Sequence, residues 1–341
     1  MSIERAQFAF PQGVTPSVSR EVGFSPVPLH RYALSGATMG TRYGAIFFAP
    51  EGLDTEVVNR ALGRAVDLVD NQMSSWKPAS DLCRFNASVP GDWVEIPPEF
   101  ATVIGTALEI GRASEGAFDI GVGDLVEAWG FGPGVRKPNM DRISALKDQR
   151  RPVTTEILDL DGTGHRLRKR TPVTLDLSGI AKGFGVDQLA RCLDGLGITA
   201  YLVSIDGETR ARGNKPGGHP WTVAVELPDR WKRDVARLIS TTDVSIATSG
   251  DYRHWVEHGG NMVSHTMHPQ THRPLGNAVA SVTVLAADCM TADAWATALM
   301  VLGEIEGPAT AARLGLEALF IVRKEHVLIQ IPVGQRWAQG E

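Results

Sequence analysis

The chain has 341 residues, a formal net charge of −5, and 43% hydrophobic residues. This is the composition of a folded globular protein, and the acidic balance without a sustained basic stripe disfavours nucleic acid as a partner. Its three cysteines, Cys83, Cys192 and Cys289, are too scattered to indicate a zinc knuckle or a disulfide framework. No apolar run approaches the roughly 20 residues of a membrane span or forms a signal-peptide core, so we expect a cytoplasmic protein.

The first part of the chain predicts an arm, a hairpin and two helices. Residues 1–30 contain four prolines and little periodicity, which predicts an extended arm preceding a single domain over residues 31–335. Residues 31–49 read as two strands around a glycine-rich turn. Apolar residues at i, i+3 and i+4 after Asp54 predict a helix, and residues 99–113 predict a second one.

The middle of the chain is less regular. Residues 73–86 predict a loop with a short turn. Residues 116–134 are rich in glycine and lack periodicity, which over such a length is typical of a functional segment or a linker. The basic run HRLRKR over residues 165–170 predicts a solvated hairpin or loop.

From residue 171 onward, strands and helices alternate. A helix is predicted over residues 183–193. Strands are predicted over residues 171–178, 200–205, 221–227, 244–250, 281–286, 318–323 and 326–331. This mixture predicts an α+β (mixed α/β) fold with β-sheets flanked by helices.

One helical segment, CMTADAWATALMV over residues 289–301, carries two oxygen-bearing side chains on one face. Asp293 and Thr297 are four residues apart, which stacks them on successive turns. Thr291 is a candidate helix start, which places Asp293 in the first turn, where a carboxylate suits the helix dipole. On spacing alone, helix-end chemistry is favoured over half of a metal site.

Three glycine-rich stretches combine tight turns with polar side chains. GATMGT over residues 36–41 favours a hairpin turn. Asp119 lies between apolar neighbours, so it caps a turn or contacts a ligand, and the residues do not choose between these. DLSGIAKGFGVD over residues 176–187 predicts a helix start near Lys182, which suits phosphate binding, although an ordinary strand–helix junction explains it as well.

Four histidines, His254, His258, His265 and His268, lie close together in sequence. A zinc site is disfavoured because HExxH and a cysteine cluster are both absent. His265 precedes a turn-rich segment, where functional loops tend to lie.

Taken together, these stretches resemble the FAD:protein FMN transferase family, also called ApbE or flavin transferase. The matching segments run from about Gly36 to Gly303 in the family's order: GATMGT, MSSWKPASDLCRFN, GAFDIGVGDLVEAWGFG, LDLSGIAKGFGVD, IATSGDYR, SHTMHPQTHRP and TADAWATAL. A single match would be weak, whereas the ordered set is specific. The resemblance implies a two-lobed ApbE-like fold with an FAD and Mg²⁺ site in the cleft between the lobes.

The resemblance also implies a reaction. FAD is bound with Mg²⁺, or alternatively Mn²⁺, its pyrophosphate is attacked, AMP leaves, and FMN is joined to a threonine or serine hydroxyl of an acceptor protein. Asp293 and Thr297 match the family's side-chain metal ligands, and Ala181 matches the position that supplies a backbone carbonyl. His265 matches the catalytic histidine, which we assign to deprotonate or orient the acceptor hydroxyl.

Flavin contacts carry over in the same way. The matching positions are Met39, Trp76, Ala117, Phe118, Asp119, Ser178, Lys182, Phe184, Thr248, Ser249 and Gly250. Trp76 stands where the family usually has tyrosine, so the aromatic surface is kept and the hydroxyl is lost.

Some positions depart from the family pattern. His268 stands for an aspartate, His272 for a glycine, and Asp206 to Glu208 read Asp-Gly-Glu in place of Gly-Gly-Asp. Two other functions stay open: an FAD pyrophosphatase that uses water and releases FMN and AMP, and a non-catalytic flavin-binding protein. The implied partners are FAD and an acceptor flavoprotein, with the chain itself a monomer or homodimer.

Overall fold

The computed structural model describes residues 28–338 apart from residues 134–136, 148, 150, 162, 164, 230, 254, 259–260 and 326. Most of the predicted N-terminal arm therefore lies outside the described residues, as do His254 and the side chain of His258. The first strand begins at Leu29, two residues before the predicted domain start.

The strands, in chain order, are β1 (Leu29–Thr38), β2 (Thr41–Pro50), β3 (Val94–Glu95), β4 (Leu158–Leu160), β5 (Arg166–Lys169), β6 (Tyr201–Ile205), β7 (Glu208–Arg212), β8 (Trp221–Glu226), β9 (Val235–Thr241), β10 (Val244–Gly250), β11 (Trp255–His258), β12 (Asn261–Ser264), β13 (Met267–His268), β14 (Arg273–Pro274), β15 (Val279–Ala286), β16 (Glu317–Lys324) and β17 (Val327–Val333). The helices are α1 (Thr55–Met73), α2 (Asp81–Asn86), α3 (Pro98–Ala113), α4 (Gly123–Ala128), α5 (Met140–Lys147), α6 (Thr154–Ile157), α7 (Ala181–Gly195), α8 (Cys289–Leu314) and α9 (Gln335–Ala338).

The largest sheet has eight strands in the order β1-β2-β6-β7-β10-β15-β16-β17, and neighbouring strands run antiparallel. Helices cover it, with α1 and α7 packed on the β2 and β6 end and α8 packed along β10 and β15. An antiparallel sheet flanked by helices is an α+β arrangement, which confirms the predicted fold class. Among the helices of the described residues, none has the length and apolar character needed to cross a bilayer.

Two large hydrophobic clusters hold these layers together. One joins α1 and α7 to β2 and β6 through Leu62, Leu189 and Tyr201. The other joins α3 and α8 to β15 and β16 through Ile104 and Phe320. Since α7 packs in the first cluster and α8 in the second, the junction between these two helices lies where the clusters meet.

The GATMGT segment forms the hairpin turn that its glycines favoured. Thr38 pairs with Thr41, and the two turn residues, Met39 and Gly40, have φ values of 45° and 70°. Positive φ at both central positions is the type I′ geometry that matches the twist of a two-residue hairpin. Met39 is therefore held in a left-handed conformation that non-glycine residues rarely adopt.

The basic run at residues 165–170 forms one strand of a hairpin with β4, as predicted, but alternate side chains of this strand are buried. It forms β5, the central strand of a small sheet ordered β3-β5-β4, in which Leu167 and Lys169 are buried. The Lys169 ammonium donates to the Asn86 carbonyl oxygen at 2.7 Å, at the end of α2. The predicted solvation was wrong because the charge count of the run hid the alternation of inward and outward side chains.

Residues 171–178 do not form the predicted strand. Leu175 and Leu177 are buried, which gave the segment an alternating pattern, but its backbone bonds to a side chain of α2 and to a loop. The Asn86 side chain accepts from the Leu175 N–H at 2.8 Å and donates to the Leu175 carbonyl oxygen at 2.9 Å. The Asp176 N–H donates to the Ile120 carbonyl oxygen at 2.8 Å. These partners satisfy the backbone without a neighbouring strand.

Candidate active site

The helix that carries Asp293 begins earlier than its sequence suggested. Its first residue is Cys289, and the side chain of Asp288 accepts a hydrogen bond from the Thr291 N–H at 2.8 Å as the N-cap. Thr291 as helix start is therefore wrong, because Asp288, three residues earlier, supplies a stronger capping group. Asp293 consequently lies in the second turn of α8, beyond the reach of that helix's own unpaired N–H groups.

Asp293 instead caps a different helix. Its Oδ2 accepts a hydrogen bond from the Gly183 N–H at 2.9 Å, in the first turn of α7. In return, Asp187 of α7 accepts from the backbone N–H groups of Cys289 at 3.0 Å and Met290 at 2.9 Å, at the start of α8. Each helix thus supplies the carboxylate that satisfies unpaired N–H groups of the other.

This exchange requires a very close approach of the two helices. A Cβ atom added to Gly183 would overlap the Cys289 carbonyl oxygen and lie 2.8 Å from the Asp293 Cβ. Glycine is therefore the residue that fits at this position, where its lack of a side chain allows two helix ends to touch.

The candidate metal-binding residues are neighbours at this junction. A Cβ at Gly179 would lie 3.0 Å from the Thr297 Oγ1, while Gly183 is bonded to Asp293. Ala181 lies midway between these two glycines in the chain. The Thr297 Oγ1 also lies 3.0 Å from the Ser249 Oγ, at the end of β10.

The electrostatics of Asp293 fit a cation site. Burial and then the charge of Glu208 raise the pKa of Asp293 to about 7, against the opposing effect of Lys182. Within the described part of the chain, the Gly183 N–H is the only hydrogen-bond donor to Asp293, so its second carboxylate oxygen has no donor there. A buried carboxylate in this state is stabilised by a cation.

The donor set also fits Mg²⁺. A carboxylate, a hydroxyl and a backbone carbonyl are hard oxygen ligands of the kind that this ion prefers. The described residues contain no group of three or more histidine, cysteine, aspartate or glutamate side chains that could hold a metal. In the candidate triplet of Asp293, Thr297 and Ala181, only Asp293 is one of these four residue types. The other two ligands would be a hydroxyl oxygen and a main-chain carbonyl oxygen.

An ion pair between the partly exposed Lys182 and the buried Glu208 borders the same junction. The Lys182 ammonium donates to the Glu208 Oε1 at 2.7 Å and lies 3.7 Å from the Asp206 Oδ2. Burial lowers the pKa of Lys182, but the carboxylates of Glu208, Asp293 and Asp206 raise it more, so it stays a cation. The sequence marked Glu208 only as a departure from the family pattern, because its burial arises from the strand pairing of β6 with β7.

Two of the candidate flavin contacts also touch α7 or the turn before it. The Met39 Cε would lie 3.0 Å from a Cβ at Gly185, and the Phe118 Cε2 would lie 3.4 Å from a Cβ at Gly179. Ala117 is buried beside Phe118. The hairpin turn and the glycine-rich segment therefore both meet the start of α7.

Phe184 and Asp119 have structural partners. The Phe184 ring is 1% exposed and belongs to the larger hydrophobic cluster. Asp119 accepts from the Gly121 N–H at 2.7 Å and from the Thr154 hydroxyl at 2.7 Å, and burial raises its pKa. These contacts favour the turn-capping interpretation of Asp119, and flavin binding by either residue stays a prediction.

The remaining candidates lie at the surface or on neighbouring strands. Trp76 is 51% exposed, and Ser178 is exposed with its N–H donated to the Asp176 Oδ1 at 2.9 Å. Thr248 lies 2.8 Å from the Thr283 hydroxyl, oxygen to oxygen, on the adjoining strand. Gly250 ends β10, directly after Ser249.

A cavity of 280 Å³ lies between the segments that carry Trp76 and Ser178. Ser75, Asn86, Glu127 and Asp176 are among its lining residues. Burial raises the pKa of Asp176. This cavity places polar groups and open volume beside two of the candidate flavin contacts.

His265 lies on a loop that packs against the glycine-rich segment. Its ring is half-buried and meets the Phe131 ring edge-on, with centroids 6.2 Å apart. Met267, two residues later, is buried with Leu125 and Trp129 around α4. The loop that carries His265 is therefore packed against α4 and Phe131.

The two histidines that depart from the family pattern shape the turn after His265. The His268 Nδ1 accepts from the backbone N–H groups of Gln270 at 3.2 Å and Thr271 at 3.4 Å. An aspartate carboxylate commonly accepts the same pair of bonds, so a neutral imidazole takes over its capping role here. His272 has a φ of 57°, the left-handed region that a glycine would occupy without strain.

Comparison with known proteins links this geometry to one family. A family model described as the ApbE family matches residues 39–320, which include every candidate site residue. The chain is 39% identical over 300 residues to the FAD:protein FMN transferase of Vibrio cholerae, covering 87% of this chain and 89% of that protein. It is 35% identical over 298 residues to the FAD:protein FMN transferase of Escherichia coli strain K12, covering 86% and 84%.

Solved structures give the same result for the fold. The flavin transferase ApbE from Vibrio cholerae superposes with a TM-score of 0.82 at 36% identity, covering 92% of this chain and 100% of that one. The flavinyl transferase ApbE from Pseudomonas stutzeri, in its apo form, superposes with a TM-score of 0.78 at 34% identity, covering 89% and 95%.

Proposed function

The chain belongs to the ApbE family, and we propose that it transfers FMN from FAD to a hydroxyl group of an acceptor protein and releases AMP. The observation that carries this proposal is the junction of α7 and α8. There the buried Asp293 carboxylate accepts from the Gly183 N–H at 2.9 Å, and the Thr297 hydroxyl lies 3.0 Å from a Cβ placed at Gly179. FAD is the substrate in this reaction, since its FMN half becomes part of the product.

We assign Asp293, Thr297 and the Ala181 carbonyl to hold Mg²⁺. The metal, when bound, neutralises charge on the diphosphate and on the departing AMP. The unpartnered oxygen of Asp293 supports this assignment, because a buried carboxylate is costly unless it meets a cation. The Ser249 hydroxyl holds the Thr297 side chain in place through their 3.0 Å contact.

The start of α7 suits the diphosphate itself. The Lys182 ammonium, in the first turn of this helix, supplies a full positive charge that attracts phosphate oxygens. Met39 and Phe118, which meet this helix start, and Trp76, beside the 280 Å³ cavity, supply the apolar surfaces that a flavin nucleotide contacts.

His265 acts on the acceptor. An alcohol hydroxyl is a weak nucleophile near neutral pH, so a positioned imidazole that takes or orients its proton accelerates attack. The acceptor oxygen forms a bond to the FMN phosphorus, the diphosphate bond to AMP breaks, and the hydroxyl proton passes to the imidazole. The packing of the His265 loop on α4 holds the imidazole on a fixed support.

Co-expression with candidate acceptor flavoproteins tests this function. After denaturing electrophoresis, a fluorescent flavin band at the acceptor's size is expected only when this protein is present. A matched acceptor with its target threonine or serine replaced by alanine controls for non-covalent carry-over. Flavin-free acceptors together with rapid release of free FMN would instead support the pyrophosphatase alternative.

A further inference from the structure

Glu208 is a buried carboxylate that the proposed reaction does not yet use. It is 2% exposed, at the first position of β7, directly after the turn that links β6 to β7. Its Oε1 accepts from the Lys182 ammonium at 2.7 Å, while its Oε2 is buried and has no hydrogen-bond partner in the described structure. Such a half-satisfied buried carboxylate is costly and calls for a reason other than packing.

The Lys182 ammonium is attracted by more than one carboxylate. Both Glu208 and Asp293 interact electrostatically with the ammonium, but the hydrogen bond is made with Glu208. Asp293 uses one oxygen for the Gly183 N–H, and its second oxygen is left without a donor. An ammonium that bonded this second oxygen would take the place of the metal ion that Asp293 is proposed to bind.

We propose that Glu208 is a positioning residue for flavin transfer: its buried carboxylate holds the Lys182 ammonium away from Asp293, which keeps Asp293 open to a divalent cation and points the ammonium at the FAD diphosphate. This inference rests on the proposed function. It deepens that function by assigning a task to a residue that touches neither metal nor substrate. The fixed strand position of Glu208 gives the flexible lysine a rigid anchor.

Glu208→Gln tests the proposal, because the amide keeps the size and one acceptor oxygen but removes the charge. The affinity of the metal-free protein for Mn²⁺, measured by electron paramagnetic resonance without FAD, is expected to fall roughly tenfold to a hundredfold. The KM for FAD is expected to rise while kcat changes less, because Lys182 is released from its aim at the diphosphate.

Two matched variants separate positioning from other effects. Asp206→Asn removes another negative charge near Lys182 but leaves its 2.7 Å anchor, so Mn²⁺ affinity and the KM for FAD should stay close to wild type. Asp194→Asn breaks a different ion pair between α7 and β7, with Arg212, about 18 Å along the helix from Lys182. It should lower the melting temperature without altering either measurement.

The outcomes are distinct. The proposal is overturned if Glu208→Gln only lowers the melting temperature, or if Asp206→Asn weakens Mn²⁺ binding equally. Should Glu208→Gln not fold, Lys182→Met replaces it: Mn²⁺ affinity must then be kept or increased while the KM for FAD rises, and a loss of Mn²⁺ affinity contradicts the proposal. A wild-type protein that binds Mn²⁺ but never consumes FAD would count against the proposed function instead.

Discussion

The Asp293 carboxylate accepts a hydrogen bond from the Gly183 N–H at 2.9 Å, and so one side chain of α8 caps the start of α7. Helix-end chemistry and metal binding are therefore not alternatives for Asp293. One carboxylate oxygen caps α7, and the other is the one that we propose binds a cation. The capping role belongs to α7 rather than to the helix that carries the residue.

Asp293→Asn is expected to abolish Mg²⁺-dependent consumption of FAD while the protein stays folded. The amide oxygen still accepts from Gly183, but the negative charge that binds the metal is lost, which corresponds to roughly a hundredfold or greater loss of rate. FAD turnover at several Mg²⁺ concentrations, together with the melting temperature, checks this. A variant that keeps Mg²⁺-dependent turnover would remove Asp293 from the metal site.

Asp187→Asn provides the matched control, because Asp187 of α7 caps the start of α8 as Asp293 of α8 caps the start of α7. Asp187 caps α8 and also pairs with Arg210 at 2.5 Å, so its replacement should lower the free energy of unfolding by about 1–3 kcal/mol. Mg²⁺ affinity should change far less than in Asp293→Asn. Urea unfolding and metal titration of both variants measure the two effects separately.

Gly183→Ala is expected to destabilise the protein by about 1–3 kcal/mol or more, because the new methyl group overlaps the Cys289 carbonyl oxygen. Chemical unfolding measures the loss. Gly195→Ala is the control, since a Cβ there meets no atom within 4 Å. Equal stability of the two variants would mean that α7 and α8 are not held as close as the structure places them.

His265→Ala is expected to keep FAD binding and lose acceptor modification. Removal of a positioned general base lowers a rate by on the order of 10²- to 10⁴-fold. FAD affinity is followed by flavin fluorescence and transfer by the mass of the acceptor. Full transfer activity in this variant would show that another group handles the hydroxyl proton.

His268 makes the stability of the turn after His265 depend on pH. Burial, followed by the nearby His272, lowers the pKa of His268, so the folded protein holds this proton less tightly than the unfolded chain does. The stabilising capping bonds are present above the ordinary histidine pKa of roughly 6.5 and are lost as the pH falls through the lower folded value.

The pH dependence of the melting temperature should therefore differ between the wild type and His268→Asn. Between about pH 7.5 and 5.5, the melting temperature of the wild type should fall further than that of His268→Asn, because the asparagine oxygen accepts the same N–H groups at both pH values. Thermal unfolding at a series of pH values provides the comparison. Parallel pH profiles would indicate that the imidazole does not support the turn.

The sequence alone predicted features that depend on local spacing. The helix after Asp54, the hairpin at residues 36–41 and most strands of the large sheet arise from periodicity and turn glycines, and the structure confirms them. The strand predicted over residues 171–178 was wrong, because the pattern of buried side chains is the same whether the backbone pairs with a strand or with the Asn86 side chain.

The candidate site could be predicted only in part from the sequence, for a related reason. Asp293 and Thr297 share a helix face, so their sequence spacing was enough to pair them. The contacts of Asp293 with Gly183 and of Lys182 with Glu208 join residues far apart in the chain. Family motifs indicate which residues gather at a site, but these exchanges between elements become visible only once the elements are packed.

The most direct test of the central claim is the intact mass of an acceptor flavoprotein after incubation with this protein, FAD and Mg²⁺, with AMP quantified in the same sample. The account predicts a covalent FMN increment on the acceptor and one AMP released for each FMN attached. AMP released with free FMN and an acceptor of unchanged mass would contradict it.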